Sequence, residues 1–307
     1  MVDDAGPGRL AELTVALSLA SDLGTGQPME HGLRTCWLSL AAAEALGLDT
    51  VTRSAVYYVA LLRFIGCTSD ASETAVLAGG DDVAFNVVMA PMLAAQPGEG
   101  MRYFMRHLAE DLPLHRRAGL VIRAMTDPGM ERRSLSGHCE VAARLASRLG
   151  LPETVSEPLA HAYERWDGRG HPAGLAGEEV PVAVRVVAAA RDAEMWARVA
   201  GWETAADVLA RRGGHAHDPV VVDVLMAGQS AGAFAQVQHL IGPDNANRLD
   251  PPAPPELARL DKCDARDLIA KAAHHSRVFA PLFESVFAAH AAAAYKPFHG
   301  PNAKAGS

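Results

Sequence analysis

Lysine is almost missing from this chain. It occurs only at Lys262, Lys271, Lys296 and Lys304, so the first 261 residues offer no lysine for Schiff-base or nucleophilic chemistry. Cysteine is scarce as well, and Cys36, Cys67, Cys139 and Cys263 form no Cys-x-x-Cys pair. That pattern excludes a disulfide framework and points to reduced thiols. No apolar run is long. Residues 55–62 fall far short of the roughly 20 residues that cross a bilayer, and the N-terminus lacks a basic start followed by an apolar segment. A cytoplasmic location without membrane contact is expected. Positive charge is not in excess either. With a net charge of −8 and a pI near 5.9, the chain has no general field for nucleic acid, and direct nucleic-acid binding is not expected.

What is present is ordinary for a globular protein. Apolar residues make up 49% and charged residues 21% of 307 residues, enough for one large or two small domains with a sizeable core. The alanine- and arginine-rich usage suggests a high-GC actinobacterial source.

Helical periodicity dominates. Leu10, Leu13, Leu17, Ala20 and Leu23 recur at three- and four-residue spacing before Gly24, which predicts a helix over 9–24. Pro28 opens a second helix to about residue 46, and a third is expected from 52 to 66. Further helices are expected over 83–93, 100–109 and 115–125, and from 137 to 150. The next begins at a capping box of Thr154 and Glu157. Two more are expected over 182–200 and 203–212, then others over 229–242 and within 256–294. The expected fold class is all-α, with residues 1–248 as the main domain and 68–133 as a helical insertion within it. Residues 249–255 form a proline-rich linker, 256–295 a helical extension and 296–307 a flexible tail.

The most informative stretch is 161–181, HAYERWDGRGHPAGLAGEEVP. Gly168, Gly170, Gly174 and Gly177 mark a tight loop that only glycine-rich chain can make. This stretch resembles the signature loop of the HD-GYP family, metal-dependent phosphodiesterases that linearise cyclic di-GMP. His171 stands for the family's tyrosine, and Ala162 and Tyr163 stand for its two histidines. The resemblance covers residues 29–66 and 137–226. His31 matches the first metal-ligand histidine and His138 a later one. The His-Asp pair of the family's Leu-Leu-His-Asp-Ile-Gly-Lys segment is replaced by Arg63 and Phe64, and its lysine by Cys67. Arg191, Asp192 and Glu194 fall where the family has Ala-Asp-x-x-Asp-Ala, and residues 213–219 resemble its closing segment. The arrangement is similar to the degenerate HD segment of actinobacterial LuxR-type regulators.

The resemblance implies an HD-type helical bundle and a pocket built from His31, Arg63, Cys67, His138, Glu164, Asp167, Arg191, Asp192 and Glu194. A two-metal phosphohydrolase needs about six His and carboxylate ligands, which this chain does not retain. One divalent ion (Fe, Mn or Zn) held by His31, His138 and Asp192 is the metal alternative, and no cofactor is the main expectation. Arg63, a permanent cation, argues against metal at close range. It is expected either to pair internally with Asp192, Glu194 or Glu164, or to receive an anion such as phosphate or carboxylate; the internal pair is preferred. Glu164, Asp167 and Arg169 also suit a plain turn. Cys67 and Cys139 read as thiols with a redox-sensing role or as small apolar residues, and His215 and His217 as a solvated loop. The expected function is a catalytically degenerate regulatory module that binds a small anionic ligand or a signalling protein, with a homodimer as a further option. A metal-dependent phosphohydrolase using His31, His138 and a nearby carboxylate is the alternative.

Overall fold

Apolar residues at helical spacing need a partner face, and in a computed structural model they find it in one another. The structure describes residues 7–28, 30–68, 82–96, 99 and 129–230, and every regular element among them is helical. In chain order these are α1 (Pro7–Gly24), α2 (His31–Ala45), α3 (Thr50–Leu62), a short 3-10 turn (Ile65–Thr68) and α4 (Asp82–Met89). They continue with α5 (Met130–Arg148), α6 (Glu153–Ala160), α7 (Val182–Arg212) and α8 (Pro219–Ser230). The all-α expectation holds for this part. The helices expected over 100–109, 115–125 and 256–294, all but the first two residues of the one expected over 229–242, the linker and the tail lie outside the described residues.

The core forms where α7 runs along α2 and α3 and α5 packs on α6. Leu38, Val56, Leu62, Leu159, Val186 and Leu209 are among its fully enclosed side chains. Fully burying each such side chain is worth about 1.5–3 kcal/mol relative to leaving it exposed.

Several boundaries differ from the sequence reading. The helix at α5 begins seven residues before the expected start at 137. At α6 the N-cap is Pro152 in extended conformation with no side-chain cap bond, so the Thr154/Glu157 capping box is not formed. Proline supplies a fixed φ at the entry instead, leaving Thr154 inside the first turn. The two helices expected over 182–200 and 203–212 are joined at Gly201, whose φ of 82° and ψ of 164° break the helical path. Asp49 caps α3 by accepting from the Thr52 amide at 2.8 Å.

One glycine fixes where two segments meet. A Cβ built on Gly66 would lie 2.2 Å from the His138 carbonyl oxygen and 2.7 Å from its Cα. The missing side chain therefore lets the end of α3 touch the backbone of α5, and brings Arg63, Phe64 and Cys67 beside His138 and Cys139.

Candidate functional site

Two carboxylates two residues apart on α7 organise the centre of the bundle. Asp192 and Glu194 are both buried, so each needs compensation for its lost hydration. Each finds a different set of partners.

Asp192 sits at the focus of three donors. Its Oδ1 accepts from Arg191 Nη1 at 3.0 Å, and its Oδ2 from Arg212 Nη1 at 2.5 Å and His217 Nε2 at 2.8 Å. Burial alone would push this carboxyl up, but Arg212, His217 and Arg191 together hold it well below the usual carboxylate range. It is therefore a fixed anion held by two guanidinium groups and an imidazole. Neither Arg212 nor His217 was identified as a site residue from sequence. His217 in particular is buried rather than solvated, while His215 is exposed as expected. The signal lay in the 213–219 segment: Gly213 and Gly214 turn the chain at the end of α7, and Asp218 anchors the return by accepting from Arg185 at 2.7 Å.

Glu194 forms the second set. Its Oε2 is in a short contact with His31 Nδ1, and its Oε1 accepts from Arg198 Nε at 3.0 Å. Burial pushes the His31 ring toward its neutral form, outweighing the opposite pull of Glu194. Burial opposes ionisation of Glu194, yet His31, Arg198 and Arg34 hold its carboxyl below the ordinary value. A neutral imidazole thus donates from Nδ1 to an ionised carboxylate, which leaves Nε2 as an acceptor. That Nε2 is buried without a partner. Ligand histidines are commonly oriented this way by a carboxylate behind them. The neighbour on this side, however, is the Phe64 ring, 5.9 Å away centre to centre, where the resemblance implies a bridging carboxylate.

Arg63 does not make the expected internal salt bridge. Asp192, Glu194 and Glu164 are all engaged elsewhere, and the Arg63 guanidinium lies over Tyr163 at 5.1 Å and Phe64 at 5.5 Å. Sequence could not reveal this, because it depends on which cation reaches each carboxylate first in space. Arg191, one residue from Asp192, and Arg212 occupy the position assigned to Arg63.

Glu164 explains the loop. Its two carboxylate oxygens accept from the amides of Ala173 at 2.6 Å, Gly174 at 3.1 Å and Leu175 at 3.0 Å. Gly170 passes so close that an added Cβ would sit 2.4 Å from the Arg165 amide nitrogen and the Glu164 Cα. Asp167 is held by Arg165 through bonds of 3.0 and 2.8 Å and by the Arg169 amide at 3.1 Å. It closes the turn and does not line the central cavity. Cys67 is half-buried with its Sγ 3.2 Å from Tyr163 Oη, and His138 is buried with its ring 6.1 Å from that of Tyr163.

The described part of the insertion covers this site. The carbonyls of Ala90, Pro91 and Ala95 accept from Arg191, Arg212 and Arg165 at 2.6, 3.1 and 3.0 Å, and Glu99 pairs with Arg212 at 3.0 Å. Residues 90–96 and Glu99 are therefore built into the centre.

The donor set does not fit the single-metal alternative read from sequence. Among the described residues no three His, Cys, Asp or Glu side chains gather as a metal-binding group, so His31, His138 and Asp192 do not form one ligand set. The physical reason is local: the Asp192 oxygens already accept three bonds, two of them from guanidinium groups, which repel a metal ion. Arg63, Glu164, Arg191 and Asp192 are brought to one cavity together with His217, whereas His31 and Glu194 form a separate pair.

Comparison with known proteins agrees with this architecture. Residues 120–221 match the family model described as HD domain. The chain is 24% identical over 217 residues to the 3'3'-cGAMP-specific phosphodiesterase 3 of Vibrio cholerae, an alignment that covers 70% of this chain and 47% of that protein. A probable cyclic di-GMP phosphodiesterase of the same organism is 32% identical over 99 residues, covering 30% of this chain and 20% of the relative. The crystal structure of a cyclic GMP-AMP specific phosphodiesterase of V. cholerae shares the fold with a TM-score of 0.57 and 22% identity, over 86% of this chain and 58% of that one. The chain spans about half the length or less of the curated relatives it matches. No described helix is long and apolar enough to cross a membrane.

Proposed function

We propose that this HD-type chain, homologous to cyclic-dinucleotide phosphodiesterases, acts by binding a small anionic ligand or a signalling partner rather than by hydrolysis. The observation that carries this reading is the state of Asp192. A carboxylate that accepts from Arg191, Arg212 and His217 has three of its about four acceptor sites taken, two of them by permanent cations that repel a metal, and the His-Asp pair of the family pattern is Arg63 and Phe64. Two-metal hydrolysis works by lowering the pKa of a metal-bound water and clamping the phosphoryl oxygens. Arginine supplies charge for phosphate or carboxylate but cannot generate that nucleophile.

A second reading is a metal-dependent phosphohydrolase of cyclic dinucleotides, and the comparisons favour it. Both curated relatives are described as phosphodiesterases, and His31 presents a buried Nε2 with a carboxylate behind it.

Elemental analysis separates the two. The protein is produced in medium supplemented with iron, manganese and zinc, beside His31→Ala and His138→Ala, and all three are assayed on 3'3'-cGAMP and cyclic di-GMP. The expected result is no stoichiometric metal and no turnover. About one equivalent of metal in the wild type, lost in both variants and accompanied by linear product, would establish the hydrolase reading instead.

A further inference from the structure

Among the described residues, Arg63 is a buried cation outside the ion-pair network. It is 6% exposed, and its Nε and Nη1 are buried without an acceptor. The Phe64 and Tyr163 faces attract the guanidinium but accept none of its in-plane N–H bonds.

These N–H groups border a small enclosed space. Arg63, Tyr163, Glu164, Arg191, Asp192 and His217 line a cavity of about 20 Å³, which has room for one water-sized or halide-sized occupant. Arg191 Nε is also buried without a partner, so the two permanent cations that line this cavity carry three buried N–H groups without an acceptor. The lining carboxylates are already occupied, Glu164 by the amides of 173–175 and Asp192 by Arg191, Arg212 and His217. Of the buried side-chain atoms on this lining that lack a partner, three are guanidinium N–H groups and the fourth is His217 Nδ1. A water needs acceptors for two hydrogens, whereas an anion only accepts. The surplus of donors therefore selects the anion.

We propose that this cavity binds one small inorganic anion of halide size on Arg63 and Arg191. The volume excludes orthophosphate and nucleotide phosphates from the cavity in this conformation. The inference rests on the reading that the centre holds no metal, and it identifies the class of ligand that the centre holds instead.

The test uses the full chain treated with chelator, in buffers of constant ionic strength where gluconate is replaced by chloride, bromide or phosphate. Thermal unfolding should show a saturable rise of several degrees with chloride or bromide, and no more with phosphate than with gluconate. Arg63→Met should lose the halide response, and Arg63→Lys should weaken it. A crystal grown with bromide should show an anomalous peak within hydrogen-bond distance of the Arg63 guanidinium. Absence of both the halide response and that peak overturns the proposal. So does a halide response that survives Arg63→Met, or an equal response to phosphate. If Arg63→Met does not fold, the bromide peak in the wild type decides. Elemental analysis of the same preparation keeps the two readings apart. Bound metal overturns both, while a metal-free protein indifferent to halide overturns this inference alone.

Discussion

Asp192→Asn is the substitution with the most to say about the centre. It keeps the shape of the side chain and removes its charge, leaving Arg212 and Arg191, both buried, without their shared anion. One of the two Asn polar atoms is an NH2 group, so it faces guanidinium or imidazole donors where the carboxylate accepted three bonds. Removing one partner of a buried ion pair costs about 3–5 kcal/mol. For a domain of this size that corresponds to about 6–20 °C in melting temperature. The pH dependence follows from the direction of the shift. The folded carboxyl titrates well below the unfolded value of 3.8, so its stabilisation is complete above that value and is lost as pH falls below it. Urea unfolding of both proteins from pH 3 to 8 should show a constant gap from about pH 5 upward that narrows in acid. Equal stability at neutral pH would refute the fixed-anion description, as would a gap that exists only when divalent metal is added.

Two other outcomes are expected. Gly66→Ala should destabilise severely or prevent folding, because its Cβ meets the backbone of His138 rather than a movable side chain; soluble yield and circular dichroism would show it. Asp22 is raised to about 8, chiefly by burial, against the opposing bond from the Gly32 amide at 3.0 Å. Because the folded state holds a proton that the unfolded chain releases, stability should fall as pH rises from about 4 to 8. Asp22→Asn should be more stable than wild type at pH 8, by on the order of 5 kcal/mol at most, and nearly equal to it at pH 4 in denaturant titrations.

The helical fold was legible because 3.6-residue periodicity and terminal glycines are local signals. The break between 200 and 203 could be read from Gly201 for the same reason. His31, Asp192 and Glu194 were legible as types in a pattern, but their partners were not. His31 meets Glu194 across 163 residues, and Asp192 meets Arg212 and His217 across 20 and 25. Nothing in the spacing distinguishes Arg63 from Arg212 as the partner of Asp192; only the packed geometry does. Glu164 was similarly ambiguous, since a carboxylate that gathers the amides of 173–175 looks in sequence like a pocket residue.

The manner in which residues 90–96 and 99 are attached bears on how this region can change over generations. Three of the anchors are main-chain oxygens, those of Ala90, Pro91 and Ala95, beside side-chain bonds from Gln96 to the Arg211 carbonyl and from Glu99 to Arg212. Every residue type carries a carbonyl oxygen, so the grip of the arginines is indifferent to most replacements in that stretch. The main-chain anchors thus tolerate replacements that keep the packing of Ala90, Pro91, Met92 and Leu93, whereas the arginines beneath them cannot be exchanged without losing the donors. Homologues should therefore keep Arg165, Arg191 and Arg212 more strictly than residues 90–95.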